Sequence, residues 1–91
     1  MDVLYHEGPC LVVLKPAGLA TQAPPQFDSL EVRVREWFRL REAIAGNLYL
    51  GVPHRLDRPV SGPVVFARHV RAARRISRQH PPLVLYAGGK N

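Results

Sequence analysis

The sequence predicts an α+β domain: a mixed or antiparallel sheet with two helices, in the order β-β-α-β-loop-β-α-(β). Three observations carry this. Two Val- and Leu-rich runs flank Glu7-Gly8-Pro9, as in a hairpin. Two later segments, beginning near Leu30 and Arg68, change to helical spacing. The remaining apolar runs are only four or five residues long, which suits strands. A hairpin followed by interspersed helices argues against a doubly wound parallel sheet.

Taken in order, residues 3–6 (VLYH) and 10–15 (CLVVLK) are the hairpin strands. The second run is almost continuously apolar, as expected of a strand buried on both faces. Lys15-Pro16-Ala17-Gly18-Leu19 then ends it, because proline cannot donate to a ladder and glycine admits positive φ. Asp28-Ser29-Leu30-Glu31 has the composition of a helix start, with Asp28 or Ser29 as the cap. Leu30, Val34, Trp37, Phe38 and Arg41 fall at helical spacing, and Glu31–Arg35 is an i,i+4 ion pair in the favourable order. Trp37 and Phe38 belong to that apolar stripe, which favours core packing over base stacking. Gly46-Asn47 is the expected stop. Leu48–Val52 is expected to be a strand, Pro53–Pro63 an irregular loop, and Val64–Ala67 a strand. Arg68–Gln79 is expected to be a helix with Val70, Ala73 and Ile76 inward, ended by His80-Pro81-Pro82, and Leu83–Ala87 a last strand.

The chain has 91 residues, too few for more than one domain. No apolar stretch approaches the ~18 residues of a membrane helix, and the acidic N-terminus is unlike a secretory signal. The single cysteine, Cys10, has no internal disulfide partner. A cytoplasmic protein is expected.

The net charge of +6 is uneven. Met1–Pro53 carries five basic and six acidic residues, whereas His54–Gln79 carries seven arginines against Asp57 alone. Guanidinium groups match phosphate oxygens as a bidentate fork, so such a cluster suits nucleic acid or another phosphate-bearing partner. A merely solvated basic helix face is the alternative.

Asp57 sits between Arg55 and Arg58 in HRLDRPVSG (residues 54–62). Nearby guanidinium charge is expected to keep its carboxylate ionised. Such a group can serve as nucleophile, general base or structural ion-pair partner. His54, Asp57 and Ser61 are the residue types of a Ser-His-Asp triad, and their i, i+3, i+7 spacing would align them on a helix. Pro59, Gly62 and Pro63 forbid that helix, and no nucleophile elbow is present. His6, His54, His69 and His80 show no metal-ligand spacing, and no glycine-rich phosphate loop occurs.

The loop HRLDRPVSG resembles the HRLDxxTSG signature of RluA-type pseudouridine synthases. VLYHEGPCLVVLKPAGLATQ is similar to the hairpin and KPAG loop that open that family's catalytic domain. VVFA and the basic helix ending ARRISRQ resemble the segment that comes after the signature in that family. The likeness runs over roughly residues 3–79. It implies a pseudouridine synthase fold over residues 1–80, as the first half of a catalytic domain, followed by a divergent tail at 81–91.

The resemblance further implies isomerisation of uridine to pseudouridine in structured RNA, ribosomal or transfer, with no cofactor or metal. It places the catalytic role on Asp57. Arg55 matches the signature's arginine and would hold the flipped nucleotide or orient Asp57, with His54 beside it. Arg58, Arg71, Arg74, Arg75 and Arg78 are the expected phosphate contacts. Lys15 and its loop are expected to be structural. Three departures stand out: Val60 replaces threonine, Pro63 replaces an aliphatic residue, and the tail carries only Tyr86-Ala87 of a K-x-Y-x-A pattern. A noncatalytic RNA-binding remnant of such an enzyme is the alternative.

Overall fold

A computed structural model describes residues 1–79. Its elements are β1 (Asp2–Glu7), β2 (Cys10–Lys15), α1 (Leu30–Glu42), β3 (Gly62–Ala67) and α2 (Val70–Gln79). The three strands form one sheet in the order β1-β2-β3, with both pairings antiparallel. The α+β class and the hairpin are as expected. The last expected strand, Leu83–Ala87, lies outside the described residues. None of the described helices is long and apolar enough to cross a membrane.

Gly8-Pro9 closes the hairpin, with Glu7 paired to Cys10 and Gly8 at φ 55°. A positive φ at the first central position is what primed two-residue turns require. Leu11, Val13 and Lys15 on β2 are buried, whereas Cys10 and Val12 are half-buried and Leu14 is exposed. The expectation that β2 is buried on both faces is therefore corrected. α1 covers one face of the sheet only. Leu30, Val34 and Phe38, each four residues after the last, join Leu11, Val13, Leu50, Val64 and Phe66 in the core.

Ser29 is the cap of α1, its hydroxyl accepting from the Val32 N–H at 3.2 Å. Asp28 instead pairs with Arg33. The Glu31–Arg35 pair forms, at 3.0 Å. Trp37 packs edge-on against His6 and Phe38 beneath the Arg41 guanidinium, so it serves the core as expected. The helix ends at Glu42, with Ala43 in the left-handed conformation (φ 53°), ahead of the Gly46-Asn47 stop.

Leu48–Val52 is not a strand. It contributes one isolated bridge, Gly51 to Ala67, with N···O distances of 2.7 and 3.0 Å. The reason is competition for its carbonyls. Arg35 donates to Leu48 O at 2.7 Å and Arg68 to Tyr49 O at 2.7 Å. Guanidinium groups satisfy acceptors that a ladder would otherwise have used. α2 begins at Val70 rather than Arg68, and Ile76 is buried as expected, but Val70 is exposed.

Candidate active site

The register of β2 with β3 sets the site. Lys15, the last residue of β2, lies opposite Gly62, the first of β3. The loop leaving β2 (residues 16–29) and the loop entering β3 (residues 52–61) therefore share one end of the sheet. The KPAG turn closes with Leu19 N–H donating to Pro16 O, and Gly18 occupies its third position at φ 91°. That φ is the conformation a type II turn requires there.

Lys15 is fully buried. Its ammonium donates to three backbone carbonyls: Pro16 at 3.0 Å, Leu19 at 2.6 Å and Arg58 at 3.0 Å. The Gly18 N–H also donates to Arg58 O, at 2.8 Å. One cation thus ties its own turn to the loop that carries Asp57. Burial pushes the Lys15 pKa below its ordinary value, and the Asp57 carboxylate works against that shift. The expected structural role of Lys15 acquires a physical form.

Thr21 makes a second clasp. Its buried hydroxyl donates to Leu56 O at 2.8 Å and accepts from the Leu56 N–H at 3.1 Å. Thr21 is itself held by α1, because the Leu30 and Glu31 N–H groups donate to Ala20 O and Thr21 O at 2.9 and 3.0 Å. These are free donors of the helix N-terminus. Rigid helix, polar hydroxyl and loop backbone therefore lead in sequence to Asp57. A turn closed by Val60 N–H to Asp57 O, at 2.9 Å, completes the loop.

Asp57 itself is exposed. It borders a cavity of about 510 Å³ with Gln22, Val52, Pro53, His54 and Arg55. A smaller one of about 220 Å³ brings Arg58 to its other side. Arg55 is exposed and donates to Gln22 Oε1 at 3.4 Å. His54 is buried at the cavity wall, and its Nε2 accepts from the Val65 N–H at 3.4 Å. Of the roles open to Asp57, that of a structural ion-pair partner is not taken up: among the described residues it joins no ion pair. The adjacent buried charge is Lys15.

The expected phosphate-contacting residues do not lie together. Arg58 is on the loop, whereas Arg71, Arg74, Arg75 and Arg78 are exposed on α2. Arg68 is occupied elsewhere, paired to Glu42 at 2.9 Å. Thr21 and Gln22 were not legible as site residues, since polar residues in a coil carry no periodic signal. No group of His, Cys, Asp and Glu suited to a metal occurs among the described residues.

Comparison with known proteins shows the family of the chain. Residues 9–84 match the model of the RNA pseudouridylate synthase family. The chain is 35% identical over 82 residues to the dual-specificity RNA pseudouridine synthase RluA of Haemophilus influenzae, covering 87% of this chain and 33% of that protein. The Yersinia pestis protein of the same name is 37% identical over 82 residues, covering 87% of this chain and 35% of its own length. The chain thus spans about a third of the length of these relatives. The fold superposes on human RNA pseudouridylate synthase domain containing 4 with a TM-score of 0.69 at 21% identity, over 85% of this chain and 28% of that one. On the family match and the fold together, the chain belongs to the RNA pseudouridylate synthase family.

Proposed function

We propose that this chain isomerises uridine to pseudouridine in ribosomal or transfer RNA, with Asp57 as the catalytic carboxylate. The observation that carries the proposal is the placement of Asp57. It is the only carboxylate in the arginine-rich half, and it stands exposed at a cavity on a loop clasped by Lys15 and Thr21.

The isomerisation breaks the bond from N1 of uracil to C1′ of ribose and forms one from C5 to C1′. C5 loses a proton and N1 gains one, so no electrons are exchanged with a cofactor. The Asp57 carboxylate acts as nucleophile, at C6 of the ring or at the sugar, and is released intact. The uracil turns within the cavity between the two bond changes.

A base inside a helix is out of reach of a loop aspartate, so the target nucleotide must leave its stack. Extrusion costs a few kcal/mol. Arg55, at the same cavity, holds the extruded nucleotide, and buried His54 shapes the wall behind it. Contacts from Arg58 and α2 to phosphates help offset the cost.

The test is pseudouridine mapping by carbodiimide primer extension, in bulk ribosomal and transfer RNA treated with the chain or its Asp57→Asn variant. Product from the first and none from the second is expected, with RNA affinity equal within about twofold. A wild-type chain that binds RNA without forming product would instead establish the noncatalytic RNA-binding reading.

A further inference from the structure

The arginines divide by occupation. Arg33, Arg35, Arg39 and Arg68 are engaged by carboxylates, and the last three also by backbone carbonyls. Arg71, Arg74, Arg75 and Arg78 lie exposed on α2, and among the described residues none of them makes an ion pair. The four do not share one surface. Arg74 and Arg78, one helical turn apart, line a cleft of about 490 Å³ with Tyr49, Gly51 and Ser77. Arg71 and Arg75, also one turn apart, line a cavity of about 740 Å³ that includes Glu7, Cys10 and His69.

Only the first cleft adjoins the Asp57 cavity. The two have Val52 and Pro53 in common, so a groove runs from Asp57 across that dipeptide to α2. The Arg71–Arg75 cavity shares no lining residue with either cavity at Asp57, and it contains the Glu7 carboxylate, which repels phosphate. The close approach of α2 to the groove depends on the absence of a side chain at Gly51. A methyl group at Gly51 would lie 2.7 Å from the Ala73 side chain and 2.7 Å from the Tyr49 hydroxyl. The helix therefore lies closer to residue 51 than any side chain there would allow.

We infer that Arg74 and Arg78 form a phosphodiester-binding subsite for the RNA strand flanking the target uridine, and that Arg71 and Arg75 take no part in it. The inference rests on the RNA reading above. Each volume suits a nucleotide-sized group, since ligand clefts run about 300–1,000 Å³. Two guanidinium groups about 6 Å apart along the helix axis act side by side on one strand. Exposed Tyr49 lines the same groove and offers an aromatic ring on which an unpaired base can stack.

Charge-matched double variants of the full 91-residue chain test this. R74Q/R78Q and R71Q/R75Q are titrated with a labelled RNA hairpin carrying a loop uridine, across a range of salt concentrations. R74Q/R78Q is expected to weaken binding by about tenfold or more. It should also flatten the slope of log affinity against log salt by ~1.4, about 0.7 for each single-strand phosphate contact. R71Q/R75Q should stay within about twofold of wild type with its slope unchanged. Both pairs should melt at the wild-type temperature. Equal losses from the two pairs, no loss from either, or a larger loss from R71Q/R75Q would each overturn the subsite. Pseudouridine formation by the wild-type chain is scored separately. If no product forms but the asymmetry holds, the subsite stands and the catalytic reading falls. If product forms and the asymmetry is absent, the reverse is true.

Discussion

The loop that carries Asp57 and the strand β1 invert the usual link between regularity and fixity. Residues 52–61 form no helix or strand, yet Lys15, Gly18 and Thr21 all hydrogen-bond to their backbone. β1 is a regular strand paired along one side, yet all six of its residues are exposed. Its N–H and C=O groups are satisfied on the β2 side and its side chains bury little. The position of the Asp57 loop is thus set by buried polar clasps on its backbone and not by secondary structure. A site made from a loop can be well placed when its carbonyls are the acceptors of a fully buried donor.

The largest effect is expected where that clasp is broken. Lys15→Met keeps the apolar stem but removes the donor from three carbonyls, at a cost of about 3 kcal/mol, read from denaturant melts. Product formation should fall further than folding does, because the Arg58 carbonyl that anchors the Asp57 loop is released. The dependence on pH has a definite sign. The folded-state pKa of Lys15 lies below its ordinary 10.5, so the folded chain releases this proton first as pH rises. The unfolded state then binds more protons, and stability from this group increases as pH climbs toward 10.5. Well below the folded-state pKa the contribution is flat. The gap in stability between wild type and Lys15→Met should therefore widen toward pH 10.5, and a gap that narrows would show that Lys15 is not desolvated.

Thr21→Val tests the second clasp with a smaller stake. It removes a donor and an acceptor from Leu56 while preserving shape, and should cost about 2 kcal/mol. A loss equal to that of Lys15→Met would mean that the hydroxyl and the ammonium hold the loop equally.

These clasps mark the boundary of what the sequence reveals. Hairpin, α1 core and signature loop were legible because their signals are local: Glu7-Gly8-Pro9 between apolar runs, Leu30, Val34 and Phe38 at one spacing, and Asp57 alone among arginines. Lys15 was legible only as part of a shaped turn. Its burial depends on lying opposite Gly62, and that pairing spans 47 residues of chain. The Leu48–Val52 run misled for a related reason. Whether its carbonyls meet a strand or the guanidinium groups of Arg35 and Arg68 depends on distant residues. β2 misled through periodicity, since a continuous apolar run does not distinguish one buried face from two.

A gain in stability is expected at the end of α1. Ala43 holds a left-handed conformation, which costs an L-residue with a Cβ about 1 kcal/mol. Ala43→Gly should recover roughly that amount in a thermal melt, without changing product formation. Loss of activity there would mean that the 43–50 connection, tied to Arg35, Arg39 and Arg68, transmits strain to the groove beyond it.

The smallest effect is expected on β1, and it completes the contrast. In the hairpin register Val3 pairs with Val13 and Tyr5 with Val12, so Leu4 is the extra residue of a bulge. It is 55% exposed. Among the described residues β1 is an edge strand, and a bulged position there has neither a cross-strand partner to lose nor a buried face to fill. Leu4→Lys should therefore change stability by no more than about 0.5 kcal/mol, despite placing a charge within regular structure. A lysine there also opposes edge-to-edge pairing, so any self-association of the chain through β1 should weaken in gel filtration. A large loss of stability would show that something packs on β1 in solution. The fixed and unfixed regions would then have to be divided by what covers the edge, rather than by the clasps alone.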